Sequence, residues 1–469
     1  MSNRKINNLI IWSNSLLFGW LLSFPFYGPV LFAAAPPESF KGFPLVMIFV
    51  SSHALTFLFA CFFLKNAGRW YHLMLGGLAV TLLVNSVMLL PLDWIWPLGM
   101  AVMGISSSFF VLGWSCIFSL SGQTVERIQI MAAVMIIGNL ILLSYNYLLT
   151  VLPGRLVLAA TGIPLAAALV ILLRLSAGFK QNMLSPFVRL TLPKPLLIIF
   201  SLFIFSIYLN GGFMYRIMLP TLSFDTPFGV YYPFIIYILV LVAVRRYSKA
   251  INRPLLVYLG VSFLGLAFIS FALLSQHTSG YMMTIGLMES SFAFLDIFVW
   301  TTLGSLAFIF GAPFQIFGAA IAANTASILC GDIIAMGLLN TGETQYLVTA
   351  LLSATSIFLA VIVIPWLNRS IDKNFALVGE NESPREGLPE KSPYDILMQY
   401  LQPGKSLTER ENQVVVLTLQ GMTNKDMARQ LFISEHTVKT HLRNICGKFG
   451  VTRKKELLHL AARKEKPNQ

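Results

Sequence analysis

Leu407-Thr408-Glu409-Arg410-Glu411, Gly421-Met422-Thr423-Asn424-Lys425 and Ser434-Glu435-His436-Thr437-Val438-Lys439-Thr440-His441-Leu442 are the pieces of sequence from which the rest of the chain is read. Each opens or closes a short helix. Thr408 and Glu411, three residues apart, can satisfy each other's orphan amides in a capping box. Gly421 fits the C′ position that ends such a helix. Thr423, with Asp426 in the box position, and Ser434, with Glu435 behind it, are N-cap residues. The spacing predicts four short helices, the third running to about Phe449 and the fourth starting near Arg453.

The third helix has two faces. Val438, Leu442, Ile445 and Phe449 fall at steps of four, three and four and make a buried stripe. His436, Lys439, Thr440 and Arg443 point elsewhere. A basic face on the second helix of a helix-turn-helix is the surface that enters a major groove. Lys and Arg there can donate to guanine O6 and N7. The bland alternative is a solvated basic face, and the caps on both sides of the turn weigh against it.

Residues 405 to about 462 resemble the LuxR-type (NarL/FixJ-like) helix-turn-helix domain. The matching residues are Leu407-Thr408, Arg410-Glu411, Gly421, Asn424-Lys425, Ala428, Leu431, Ile433-Ser434, Thr437-Val438-Lys439, His441, Asn444-Ile445 and Lys448. The resemblance implies double-stranded DNA as partner. It implies base-edge contact from Lys439, Thr440 and Arg443, and phosphate contact from Lys425, Ser434 and Thr437. His441 is either packed or against phosphate. The pattern departs at Cys446, where Tyr is common, at Gly447 inside the third helix, and at Arg453-Lys454, which replace the usual polar-Arg opening of the fourth. That fourth helix often mediates dimers in the family, so the last departure falls on the dimer contact; the resemblance otherwise implies a homodimer on DNA.

Upstream the character changes. Of 469 residues, 56% are apolar and 11% are charged, where a soluble globular domain carries about 25% charged residues. Crossing about 30 Å of hydrocarbon takes about 20 apolar residues. About twelve stretches qualify: 8–34, 43–64, 71–91, 95–120, 128–150, 155–174, 195–219, 228–244, 254–275, 280–310, 317–339 and 345–367. The eighth is short, and the tenth is long enough to hold a kink near Gly304. The first follows Arg4 and Lys5 as a signal peptide would. Its apolar run, Leu9 to Ala35, is far longer than the about 7–15 residues of a secretory core, so it reads as an uncleaved span.

Charge orients these spans. With the N-terminus in the cytoplasm, the inner segments hold 15 Lys/Arg, from Arg4 and Lys5 through Arg245, Arg246, Lys249 and Arg253 to Arg369 and Lys373. The outer loops hold Lys41 and Arg155, with Arg216 near an outer helix end. This follows the positive-inside rule and leaves both termini cytoplasmic, in a bacterial inner membrane. The tail adds its own bias: from Lys391 to Lys466 there are 14 Lys/Arg against 7 Asp/Glu, a surplus that suits nucleic acid.

The longest inner loop, about 175 to 194, divides the spans six and six. A Lys-to-Arg step of four recurs at matching places, Lys65…Arg69 and Lys249…Arg253. Such repetition is typical of transporters built from parallel halves, and the arrangement resembles the major facilitator superfamily. Of that family's loop pattern only Gly68-Arg69 survives; Lys65-Asn66 stand where its acidic-basic step would be.

The expected fold is therefore all-α. A polytopic bundle resembling the major facilitator type occupies 1–370, and a linker rich in Pro, Gly and charge occupies 371–404. A small four-helix LuxR-type domain occupies 405–469. About 34 linker residues would reach roughly 30–35 Å if flexible; Asp395 to Leu401 fits one or two helical turns.

Ionisable residues inside a membrane are costly and mark candidate sites. Glu289 and Asp296 lie seven apart on one face of the tenth span. Asp332 sits in the eleventh span and Arg216 at the end of the seventh. The alternative role for such groups, and for His53, Asn85, Asn139, Asn146, Asn210 and Asn324, is interhelical hydrogen bonding. The four cysteines are scattered with no metal or disulfide spacing. No nucleophile elbow, P-loop or zinc helix occurs, so neither an enzyme nor a cofactor or metal is expected. The function read from sequence is a membrane-integrated one-component transcription regulator that senses a small molecule. The alternative is a secondary transporter with a regulatory DNA-binding tail.

Overall fold

The structure, a computed structural model, describes residues 3–36, 44–64, 70–121, 124–176, 192–218, 227–274, 278–339, 344–375, 397–402, 405–419, 423–431 and 433–462. All regular elements among them are helical. The chain divides into two units, one made of most residues up to Pro365 and one that includes Trp366 onward.

The first unit is a bundle of long apolar helices. In order they are α1 (Asn3–Ser23), a short α2 (Pro29–Ala34), α3 (Leu45–Phe63), α4 (Trp70–Val87), α5 (Ile95–Ser119) and α6 (Thr124–Val151). They continue as α7 (Gly154–Ala160), α8 (Gly162–Ser176), α9 (Lys194–Phe213), α10 (Pro227–Arg246), α11 (Arg253–Leu274), α12 (Thr278–Phe310), α13 (Pro313–Leu338) and α14 (Thr344–Phe375). Eleven segments among the described residues are long and apolar enough to cross a membrane, with α7 and α8 forming one of them. The first expected span, 8–34, is divided: α1 contributes the apolar run Ile10–Ser23, and a turn separates it from α2. Tyr27 lies in that turn with φ of 55°, the left-handed region that non-glycine residues seldom occupy. The expected tenth span stays one continuous helix, α12, through Gly304. A Cβ there would stand 2.7 Å from the Phe118 ring, so this glycine serves close helix packing. The eighth span, short by sequence, is a 20-residue helix, α10.

Within the first half α1 packs on α6 and α8, and α4 packs on α5; the halves meet where α3 lies against α13 and α6 against α10, among other places. The first of these seams is close because of Gly318, whose added Cβ would come within 2.8 Å of the Phe57 carbonyl oxygen. Membrane helices lack a hydrophobic drive toward one another, so small residues that admit such contact decide where they dock. Outward-facing Leu55, Phe62, Phe63, Leu83, Leu273 and Phe358 are exposed, as lipid-facing positions must be.

The second unit holds four short helices, α15 (Glu409–Leu419), α16 (Asn424–Leu431), α17 (Glu435–Lys448) and α18 (Lys454–Ala462). Val438, Leu442, Ile445 and Phe449 are buried, as the spacing predicts, and Cys446 joins them. Two stretches of the expected linker are ordered: α14 runs to Phe375, and Leu397 is fully buried. The Gln402 amide donates to the Lys448 carbonyl oxygen at 3.1 Å. Lys180, Gly421 and the loop carrying Lys65, Gly68 and Arg69 lie outside the described residues, as does the Asp426 side chain.

Candidate functional site

In the C-terminal unit the caps fix the reading helix. The Thr408 amide donates to the Glu411 carboxylate at 2.7 Å, and the Glu411 amide donates back to the Thr408 hydroxyl at 3.3 Å, the capping box expected from sequence. Glu411 does more than cap. The Lys448 ammonium lies 2.6 Å from its carboxylate and also donates to the Ser406 carbonyl oxygen at 2.8 Å, tying the start of α15 to the end of α17. Burial alone would raise the Glu411 carboxyl, but the Lys448 ammonium and the Thr408 amide and hydroxyl outweigh it and hold it below the usual carboxylate range.

Ser434 caps α17: its hydroxyl accepts from the Thr437 amide at 3.0 Å and lies 2.7 Å from the Thr437 hydroxyl. The C-terminus of α17 carries a stop signal that the sequence reading passed over. Gly450 has φ of 69°, and the Val451 amide donates to the Cys446 carbonyl oxygen at 2.9 Å. This is a Schellman closure, which needs the left-handed residue that glycine supplies. Gly447, inside the helix, faces open space.

Between these caps the polar face is open. Lys439, Arg443 and Lys425 are exposed. Lys439 makes a long surface contact with Glu435, at 3.5 Å. The Thr440 hydroxyl turns back to the His436 carbonyl oxygen at 3.1 Å. Arg443 has no side-chain partner among the described residues. The candidate base-edge and phosphate residues thus share one unit, with Ser434 and Thr437 already engaged in the cap.

In the membrane unit three of the four candidates fall into two separate sites, and Glu289 lies outside both. Arg216 stands in a π-helical turn, Met214–Met218, that ends α9. Its guanidinium pairs with Asp332 of α13 through both carboxylate oxygens, at 2.5 and 3.0 Å. The Tyr27 hydroxyl donates to the same carboxylate at 2.6 Å, and the Tyr27 ring stacks on Tyr215 at 4.4 Å. Asp332 is fully buried. This is a closed, neutral clasp between the two halves, and it spends the acceptor capacity of the carboxylate.

Asp296 on α12 is placed differently. It accepts from the Tyr208 hydroxyl at 2.5 Å and from the Tyr237 hydroxyl at 2.6 Å, and among the described residues no basic side chain pairs with it. With Tyr208 it lines a cavity of about 180 Å³. Helices from both halves form the walls, contributing Asn14, Phe18, His53, Met135, Tyr215, Phe292, Trp300 and Asn324 among others. Glu289 is buried on the same helix, outside this lining, and makes no hydrogen bond to a described residue. His53 is satisfied: its Nδ1 lies 3.0 Å from the Gly104 carbonyl oxygen and 2.8 Å from the Ser108 hydroxyl. Asn85 accepts from the Trp20 indole at 2.9 Å, and Asn210 donates to Ser356 at 3.0 Å. Both hold helices together.

Sequence reasoning missed Tyr208, Tyr237 and Asn14. Nothing in a single apolar span marks one tyrosine as a carboxylate's donor. A polar residue such as Asn14 inside span one was the available signal.

Comparison with known proteins agrees with the geometry of each unit. The family model described as bacterial regulatory proteins, luxR family, matches residues 405–461. The C-terminal segment is a LuxR-type DNA-binding domain. HTH-type transcriptional regulators of Mycobacterium tuberculosis and Mycobacterium bovis are 43% identical over 63 residues, 13% of this chain and 7% of theirs. The transcriptional regulatory protein LiaR of Bacillus subtilis is 46% identical over 50 residues, 11% of this chain and 24% of that protein. The chain thus spans under a third of the length of these relatives. For the membrane unit the similar solved structures are transporters. The proton:xylose symporter XylE matches with TM-score 0.58 at 12% identity, covering 78% of this chain and 96% of that one. The human organic anion transporter MFSD10 matches with TM-score 0.52 at 17% identity, covering 77% and 100%. At these identities the likeness is one of fold. The membrane unit shares the helical fold of these transporters, and the chain joins it to a LuxR-type domain.

Proposed function

We propose that this chain is a one-component transcription regulator of the bacterial cytoplasmic membrane. Residues 1–370 bind a small molecule, 371–404 tether, and 405–469 read double-stranded DNA, with both termini in the cytoplasm. The observation that carries this reading is a capped helix-turn-helix in the same chain as a bundle that holds a carboxylate-lined cavity. Lys439, Thr440 and Arg443 contact base edges, while Lys425, Ser434 and Thr437 contact phosphate. Membrane confinement favours pairing of two tethered domains on DNA by raising their effective concentration. The basic residues at the starts of odd-numbered spans, such as Arg253, support the orientation.

The test is footprinting of the full-length protein in lipid nanodiscs on the promoters around its own gene. A sequence-specific footprint that disappears in the Lys439→Ala/Arg443→Ala double variant is expected; an unchanged footprint overturns the assignment. Reporter fusions after Gln469 and near Gln276 should report opposite compartments. Vesicle uptake of a small molecule that leaves promoter activity untouched would favour a transporter with a regulatory tail.

A further inference from the structure

We propose that the central cavity takes a small organic cation: a protonated amine carried on an aromatic or other apolar body. The inference rests on the reading of the membrane domain as ligand-binding and adds the chemical class.

Charge decides first. Among the described residues Asp296 is the only acidic side chain lining the cavity, and no Lys or Arg lines it. Arg216, whose chain neighbour Tyr215 lines the cavity, is itself outside the lining and held by Asp332. What answers Asp296 instead is two phenol hydroxyls, Tyr208 and Tyr237, one on each oxygen. They orient the carboxylate without neutralising it. Glu289, buried on the same helix and without a hydrogen-bond partner among the described residues, adds a second acid and no cation. A buried charge without a counter-charge is expensive, so the cavity favours an occupant that brings one. An anion would meet Asp296 with no Lys or Arg among the described lining residues to receive it; His53, the one imidazole among those residues, is held through Nδ1 by the Gly104 carbonyl oxygen and the Ser108 hydroxyl.

The walls give the rest of the ligand. Tyr208, Tyr215, Phe18, Phe292 and Trp300 line the space. Aromatic faces attract ammonium groups and pack against apolar bodies. An independent polar signal comes from Asn14. It is 4% exposed, lines the cavity and has no hydrogen-bond partner among the described residues. A buried amide without a partner is costly, and a ligand with a hydrogen-bonding group would satisfy it. The volume, about 180 Å³, exceeds the roughly 150 Å³ that holds benzene in an engineered cavity. That leaves room for one ring and a short side arm.

The test uses the full-length protein in nanodiscs and three matched probes: 2-phenylethylammonium, 2-phenylethanol and phenylacetate. Titration calorimetry should find saturable binding of the ammonium, at least tenfold weaker binding of the alcohol, and none of the acid. Asp296→Asn should weaken the ammonium at least tenfold and bring it level with the alcohol, while Asp296→Glu keeps the preference. If Asp296→Asn does not yield a monodisperse protein, the probe series on the unaltered chain still decides. Equal or tighter binding of the alcohol or the acid overturns the proposal, as does absence of saturable ammonium binding. The two readings fail separately. An anionic effector that switches the promoter would sink the cation class and keep the sensor. Ammonium binding that leaves DNA occupancy unchanged would keep the cation class and sink the sensor.

Discussion

The membrane bundle and the DNA-reading domain sort their charges in the same way, in media that give those charges different weight. In the bundle Asp332 is closed by Arg216 and Tyr27, whereas Asp296 has no cationic partner among the described residues. In the C-terminal domain Glu411 is closed by Lys448, whereas Arg443 has no partner among the described residues. In each region the closed pair joins elements distant in sequence, and the open group faces a space that a ligand or a nucleic acid can enter. The difference lies in cost. An unanswered charge on the exposed face of α17 is solvated at little expense, while an unanswered carboxylate in the bundle is not. An open charge is therefore weak evidence of function in the tail and stronger evidence in the membrane.

Breaking the closed pair in the bundle should give the largest effect. Arg216→Ala leaves Asp332 buried with one phenol for company, and removing one partner of a buried ion pair costs about 3–5 kcal/mol. A large drop in thermal midpoint, or loss of accumulation, is expected in fluorescence-detected size exclusion. Asp296→Asn in the same assay should lower the midpoint much less, since the amide oxygen still accepts from a tyrosine. If Asp296→Asn proves the more damaging change, the division into closed scaffold and open site is wrong for the membrane domain.

Arg443→Ala tests the open group of the other region. A good bidentate base contact carries about 1–3 kcal/mol of discrimination, so the specific footprint should weaken while the fold persists. Lys425→Ala should weaken binding to every sequence and reduce the salt dependence by about one phosphate. Identical sequence dependence in both variants would remove the distinction between base-reading and phosphate-holding residues. Next in size is Ser434→Ala. It removes the acceptor of the Thr437 amide, and loss of such a cap costs about 1 kcal/mol. Hydrogen exchange at the first turn of α17 should accelerate; unchanged protection would mean that the cap bears no weight.

The two regions also differ in how far the sequence discloses them. In the DNA-reading domain local chemistry names its own residues. Thr408 and Glu411 reveal a cap because the spacing is the mechanism, and the four-three-four step of Val438, Leu442, Ile445 and Phe449 reveals the buried face. In the bundle, hydropathy locates nearly every helix, because the length needed to cross hydrocarbon is fixed. It says little about which helices meet. Nothing local to Arg216 announces Asp332, which lies 116 residues away. Nothing distinguishes Tyr208 and Tyr237 from interfacial tyrosines until the fold brings them to Asp296. The turn at Tyr27 was illegible for another reason: Pro25 and Gly28 sit inside an apolar run that reads as one span. Its break is imposed by the contacts Tyr27 makes with Tyr215 and Asp332.

The smallest expected effect is a pH dependence in the closed pair of the C-terminal domain. Burial pushes the Glu411 carboxyl up, but Lys448 and the Thr408 amide and hydroxyl prevail and hold it below its ordinary value. A carboxyl held low in the folded state stabilises that state above its unfolded pKa, near 4.3 for glutamate, and loses this as pH falls through the folded value. The domain should therefore be indifferent to pH between 6 and about 5 and weaken below about 4. The size should be up to about 1 kcal/mol, because Lys448 keeps some contact with water and partly exposed pairs contribute little more. Hydrogen-exchange protection of α15 and α17 in the full-length protein, corrected for intrinsic rates, measures it. Glu411→Gln should lower protection at neutral pH and flatten the acid-side loss, because the amide keeps an acceptor for Thr408 and has no charge for Lys448. Parallel pH profiles for the variant and the unaltered protein would show that the pair does not close the domain. The parallel with Asp332 and Arg216 would then hold in geometry only.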